Sequence, residues 1–525
     1  MATYASRPPW ALRARALSGS RTSLAAAAAG LGLLVALSLA LRTQHMGVGY
    51  WGDEGLSVGI ADRSLLDIPG ILRQDGSPPL YYMLLSVWMT VVGSSDESAT
   101  HALSLLFAVL TVPAAYVAAR VCFGSRAGWI AAALAAFNPF LTQYAQETRM
   151  YALVILLGTI ATGAFVAGLV HRRRAALPVL SVSLAALLYT HNWGLFFGAA
   201  TGLAWLVLVA LEPRGGRRSL LRDGALAFGG AALLYAPWVP TLLFQAAHTG
   251  APWSETPDLE DLTTAPAQLL GAVAQVALLL AGGAGLAGVL GRRRLDADAH
   301  TGIALIVVAV ATVSLAWGAS QISPAWAVRY LAVAVAPLLA LSAFGLSRAG
   351  RLGLVGLGLV LLMWSGSTGR TEKSNVRAVA DSLAPSLRPG DLVVATQPEV
   401  VPVLAHYLPD GLRWATLWGP VSDLGVTDWR DGVERLDATS AARDLTPLVD
   451  RLEPGRRLVL VEPMIYSLSR WSAPWTELIR VRSEEWSRAL SRDPRVQVSA
   501  IYPPSPFPEH PNSVKATVML RQAPS

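Results

Sequence analysis

"LAAAAAGLGLLVALSLALRTQHMGVGYWGDE", residues 24–54, decides how the rest of the chain is read. Its first part is an apolar run of about eighteen residues, close to the length a helix needs to cross about 30 Å of hydrocarbon. Arg7, Arg13, Arg15 and Arg21 precede the run, which ends in "LRTQH" without a small-x-small cleavage site. An uncleaved first span is therefore expected, with residues 1–23 as a basic cytoplasmic segment. Directly after it come Asp53 and Glu54. Paired carboxylates at the lip of a bilayer are desolvated and repel each other, so they need water around them or work to do.

Composition extends this reading to the whole molecule. Of 525 residues, 53% are hydrophobic and 15% charged, with a mean hydropathy of +0.44; soluble domains average about 25% charged residues. The chain is expected to be a polytopic α-helical membrane protein. Its lone cysteine, Cys122, excludes an internal disulfide framework and a cysteine-based zinc site. The net charge of +7 lies mostly in short arginine clusters between apolar runs, a distribution that orients spans and does not point to nucleic acid.

About eleven stretches are apolar enough to count as spans: residues 24–41, 99–120, 127–142, 150–170, 176–191, 193–211, 224–245, 264–290, 301–319, 330–347 and 351–368. With the N-terminus inside, the connectors "RVCFGSR", "HRRRAA", "EPRGGRRSLLRD", "GRRRLDADAH" and "LSRAGR" all fall on the cytoplasmic face, as positive-inside bias requires. The segment "PPLYYMLLSVWMTVVG", residues 78–93, is shorter. Counting it as a span would invert the later clusters, so it is expected to be re-entrant or interfacial. The division expected is a transmembrane catalytic domain over 24–369 and a small extracytoplasmic α/β domain over 370–525, where hydropathy falls. In that tail "PGDLVVATQPEVVPVLAHYLPDG" reads as strand, loop, short helix and turn, and "GRRLVLVEP" and "VQVSAIYP" read as strands.

The face opposite the arginine clusters carries the chemically equipped loops. Asp53 and Glu54 read either as acidic residues starting a helix or as a general base beside an acidic neighbour. Tyr50 and Trp51 are of the type that anchors at headgroup depth, as are Tyr81 and Tyr82 after the two prolines. In "QETRMY", Glu147 and Arg149 precede a span; they are either an ion pair or, through Arg149, a lipid-phosphate site, with Tyr151 next to them. Arg329 and Tyr330 repeat the pattern before a late span. An arginine at depth is costly, about 3 kcal/mol on insertion scales, and its forked donors suit phosphate. His191 in "YTHNW" stands at a span end as an interfacial or binding residue. His248, Glu255, Asp258, Glu260 and Asp261 read as solvated surface. No metal-ligand spacing, P-loop, dinucleotide fingerprint or nucleophile elbow is present. Two adjacent carboxylates offer a divalent cation a foothold, but too few ligands converge for a closed site.

The "DE" after the first span, "PPLYY" (78–82), "ETRMYAL" (147–153) and the "RY" at 329–330 together resemble the GT-C glycosyltransferases. The likeness is to the protein O-mannosyltransferase and lipid A aminoarabinose transferase branch; it is strongest over about residues 44–195 and weak in the tail. It implies a polyprenyl-phosphate sugar donor, with a hexose such as mannose as the sugar, and an inverting transfer to an extracytoplasmic glycan, lipid or protein at the plasma membrane. Carried onto this chain, Asp53 becomes the base, Glu54 its acidic neighbour, and Arg149 and Arg329 the donor-phosphate contacts. Tyr50, Trp51, Tyr81, Tyr82, Glu147, Tyr151, His191 and Tyr330 are expected to face substrate. Ser77 stands where many relatives have His or Lys, so one contact is expected to be absent or replaced there. The rival reading is a transporter or flippase of a lipid-linked anion, which would show broken helices and an inward polar pathway.

Overall fold

The computed structural model describes residues 21–291, 296–465, 472–503 and 512–523. The expected segment 1–23 and the arginines at 292–294 lie largely outside it. Among the described residues, eight helices are long and apolar enough to cross a membrane: 25–42, 97–123, 151–170, 194–211, 214–248, 272–290, 297–320 and 328–348. Three shorter apolar helices, Leu80–Val92, Arg174–Leu188 and Gly350–Trp364, accompany them. The chain is an integral membrane protein.

Two of the expected spans are broken, and the sequence supplies the breaks. The run at 127–142 divides into Ser125–Phe137 and Pro139–Tyr144. Pro139 lacks the N–H that a continuous helix would need, and the Asn138 side chain caps the second helix by accepting from Leu141 N at 2.8 Å. The run at 264–290 divides at Gly271, whose φ of +79° only glycine adopts freely. The segment after Pro78 and Pro79 forms a helix of 13 residues, Leu80–Val92, too short to cross a membrane at 1.5 Å per residue.

Beyond residue 375 the chain folds into a six-stranded mixed sheet with helices. The strands are β1 (Leu392–Ala395), β2 (Arg413–Thr416), β3 (Gly419–Pro420), β4 (Arg457–Pro463), β5 (Val496–Tyr502) and β6 (Val514–Arg521), in the order β3-β2-β1-β4-β6-β5. β1 runs parallel to both β2 and β4, while β4–β6 and β5–β6 are antiparallel. The expected strands and the short helix Val401–Tyr407 are present; β2, β3, β6 and the helix Pro474–Arg492 were not foreseen. That last helix buries Trp475, Ile479, Trp486 and Leu490 against the sheet.

The sheet module rests on the helix Gly52–Ala61, which carries the acidic pair. Gly55 and Gly59 make this possible, because they lie on one face of the helix. A Cβ at Gly55 would come 2.5 Å from Val403 Cα, and one at Gly59 would collide with the Gly425 carbonyl. Gly55→Ala is expected to lower stability by about 1–3 kcal/mol, the usual result of overpacking a close contact. Thermal unfolding in detergent measures this, and an unchanged midpoint would contradict the contact.

Candidate functional site

Helix Gly52–Ala61 begins after an extended Trp51 (φ −106°, ψ 174°), with Asp53 and Glu54 in its first turn, where negative charge is favoured by the helix dipole. Successive residues on a helix point about 100° apart. The two carboxylates therefore part company. The Asp53 side chain faces a cavity and keeps 25% of its exposure, whereas the Glu54 side chain keeps none. The expectation that they act side by side on a substrate is corrected here: Glu54 is turned into the protein.

There Glu54 is saturated. Its Oε1 accepts from Thr148 N at 2.7 Å and from Lys373 Nζ at 2.8 Å, with His101 Nε2 at 2.7 Å. Its Oε2 lies 2.9 Å from Lys373 Nζ. Lys373 also donates to Gln146 O at 2.6 Å. Burial alone would raise the Glu54 pKa, but the charges of Lys373 and His101 outweigh it and hold the group down at about 2. Glu54 is thus bonded to the residue before Arg149 and is itself the residue after Asp53.

Asp53 and Arg149 meet in a cavity of about 790 Å³ lined by both parts of the chain. Arg149 Nη2 lies 3.5 Å from Asp53 Oδ2, and Arg329 Nε lies 3.8 Å from the same oxygen. Arg149 Nη1 donates to Ser57 Oγ at 3.0 Å, with longer contacts to Asp53 O and Tyr82 OH. The Arg329 guanidinium lies 4.9 Å from the Trp253 ring centre, 5.3 Å from Tyr330 and 5.5 Å from Trp51. Neither arginine Nε has a hydrogen-bond partner. Both arginine–carboxylate distances exceed ordinary hydrogen-bond lengths, so the two guanidinium groups keep donors for an anion, although Asp75 and Glu399 line the same cavity.

Of the other expected residues, Trp51, His191 and Tyr330 line this cavity. His191 Nδ1 accepts from Trp193 N at 3.1 Å, which leaves the ring proton on Nε2. Burial, reinforced by Arg149 and Arg329, lowers its pKa to about 3, so the ring is neutral. Four tyrosines do something else. Tyr50 bonds Ser95 O and Thr100 Oγ1 in the core, and Tyr81 bonds Ser104. Tyr82 and Tyr151 are buried against Arg149. None of the four is on the cavity wall, which corrects their reading as substrate-facing belt residues; they are buried, and Tyr82 and Tyr151 support Arg149 from behind.

Glu147 is not the partner of Arg149. It lines a second chamber of about 570 Å³, with Gln143, Tyr144, Arg370 and Lys373, on the far side of Trp51, Trp253 and Arg329. Its Oε2 is buried without a hydrogen-bond partner, and burial raises its pKa to about 7 against the pull of Lys373. Among the described residues, no three His, Cys, Asp or Glu side chains group as they would around a metal ion.

Comparison with known proteins places this architecture. No family model matches the sequence, and no curated protein matches it. Solved structures do. ArnT from Cupriavidus metallidurans superposes with a TM-score of 0.62 at 12% identity, covering 95% of this chain and 98% of that one. The archaeal oligosaccharyltransferase AglB from Archaeoglobus fulgidus gives 0.56 at 13% identity, over 93% of this chain and 74% of that one. The arabinofuranosyltransferase AftD from Mycobacteria gives 0.54 at 16%, over 96% of this chain and 40% of the other.

The chain shares the fold of these solved structures.

Within this fold, several cavity and support residues had escaped notice. Asp75, Asn192, Gln245, Trp253, Glu399 and Trp429 line the larger cavity. Asp75 stands three residues before Pro78, where no motif marks it. Lys373 carried a usable signal, since it is one of only two lysines in the chain and follows the last apolar helix. Replacing it with methionine should leave the buried Glu54 without its ammonium countercharge, at a cost of up to about 3–5 kcal/mol. Lys373→Met combined with Glu54→Gln should recover much of that loss in thermal unfolding. Acid provides a second check. The stabilisation due to Glu54 is complete above its ordinary pKa of 4.5 and fades as pH falls from there to about 2. Glu54→Gln should therefore flatten the acid limb of the stability profile; an unaltered limb would contradict the buried ionised state.

Proposed function

We propose that this chain is a membrane glycosyltransferase that moves a sugar from a polyprenyl-phosphate donor to a hydroxyl of an acceptor on the extracytoplasmic side of the plasma membrane. One observation carries the reading: a partly exposed Asp53 stands between two arginines with unused donors, on the wall of a cavity large enough for a sugar. The shared fold supports it. ArnT of that fold has been solved with undecaprenyl phosphate, and AglB with a dolichol-phosphate, both lipid phosphates.

In this reading the donor phosphate takes up the free donors of Arg149 and Arg329 and competes with Asp53 for their charge. The carboxylate is then available to the acceptor. As the acceptor oxygen forms its bond to the anomeric carbon, its proton passes to Asp53. The carbon–oxygen bond to phosphate breaks, and the electron pair leaves on a phosphate oxygen that the two guanidinium groups stabilise. A single displacement inverts the anomeric centre. His191, being neutral, orients and does not add charge.

The resemblance to O-mannosyltransferases makes a hexose such as mannose the first donor sugar to try. Purified protein is given labelled polyprenyl-phosphate sugars with membrane acceptors, and both transfer and release to water are followed. Asp53→Asn should lose about 10²–10⁴-fold in turnover while still binding donor. Arg329→Gln should weaken donor binding and turnover together. Donor binding without turnover in the wild type would overturn the enzyme reading in favour of carriage of a lipid-linked anion.

A further inference from the structure

The sheet module contributes part of the cavity wall, and six of its lining residues lie at one end of the central strands. Gln397 and Glu399 follow the end of β1. Pro463 and Met464 end β4. Asn512 and Ser513 precede β6, whose Val514 pairs with Pro463. From β1 the chain crosses to β2 on one side, while its other parallel neighbour, β4, lies on the opposite side. The crevice outside the carboxyl ends of β1 and β4 is thus the point where strand order reverses, the place where open α/β sheets bind ligands.

Two polar groups in that crevice have no hydrogen-bond partner among the described residues. Glu399 Oε1 accepts from Trp475 Nε1 at 3.2 Å, which fixes the carboxyl group, but its Oε2 is buried and unpartnered. Ser513 is 3% exposed and its Oγ is also unpartnered. Buried polar atoms are nearly always paired, so two together at a ligand crevice mark contacts for a bound molecule. The crevice adjoins the base: a Cβ at Gly52 would lie 3.4 Å from Glu399 O. Burial raises the Glu399 pKa to about 7, and Asp53 adds to the rise, so much of the population carries a proton that it can donate. Trp51, Trp253 and Trp429 on the same wall offer flat apolar surfaces beside these polar groups.

Resting on the reading of the chain as a glycosyltransferase, we propose that this crevice is the acceptor subsite and that it takes a sugar. One acceptor hydroxyl faces Asp53 for attack while neighbouring hydroxyls bond Glu399 and Ser513. A serine or threonine side chain has a single hydroxyl, which faces Asp53, so a peptide would have to meet both groups with its backbone amides.

The test uses the full-length protein in detergent, a polyprenyl-phosphate sugar donor, and two acceptor panels: alkyl glycosides and serine- or threonine-containing peptides. Transfer should favour the glycosides. Glu399→Ala and Ser513→Ala should each raise the glycoside KM about tenfold, the usual scale for leaving a buried partner unsatisfied, with kcat less affected. Glu399→Gln keeps an acceptor for Trp475 and a donor for the sugar, so it should restore most of the loss and guards against a folding defect. Equal use of both panels, or a KM unmoved in both alanine variants, overturns the subsite. Donor hydrolysis by the wild type that disappears in Asp53→Asn reports the underlying reading separately. Its absence, with no transfer to any acceptor, would defeat that reading and the subsite with it.

Discussion

The contact between Glu54 and Lys373 is the constraint on which the candidate site depends. A carboxylate with no exposed surface is tolerable only with a countercharge and filled hydrogen bonds, and Glu54 has both. Asp53 precedes it on the same helix turn, and Arg149 follows the residue whose backbone N–H it accepts. The bonds of this buried carboxylate therefore set the relative position of the two groups that meet at the cavity wall. Because Lys373 belongs to the segment between the last apolar helix and the sheet module, it also ties the module to the first loop.

Beside that anchor Arg149 and Arg329 keep unpartnered donors near Asp53, and both arginines are largely withdrawn from water and held against aromatic rings. In such surroundings an anion is worth far more than at an exposed surface. Tyr82 and Tyr151 supply low-polarity support behind Arg149, which is why their burial serves the site without their touching its contents.

Much of this was legible in the sequence and part was not, for definite reasons. The apolar runs form helices as expected, because the bilayer imposes apolar length, but eight of them, not eleven, reach spanning length among the described residues. Arg149 and Arg329 stood out because an arginine beside an apolar span needs a justification, and the structure brings both to Asp53. Adjacency misled at Glu54: neighbours in sequence diverge on a helix, so a carboxylate pair on paper became one cavity group and one buried anchor. Tyr50 and Tyr81 have the composition of an interfacial belt, and only tertiary packing reveals them as core. Glu399 and Lys373 lie more than 300 positions from Asp53, and nothing in their local stretches reports what they pack against. The breaks at Pro139 and Gly271 were written in residue types whose meaning is general.

The distance along the chain between Glu54 and Lys373, 319 residues, has a consequence for biosynthesis. The ribosome delivers the first loop long before its countercharge. Until Lys373 emerges, Glu54 has Thr148 N–H and His101 as partners but lacks the ammonium countercharge that completes its burial. A nascent chain already threaded into the membrane therefore holds the ingredients of the site without its finished arrangement, and competence arrives only near the end of synthesis, when the sheet module docks.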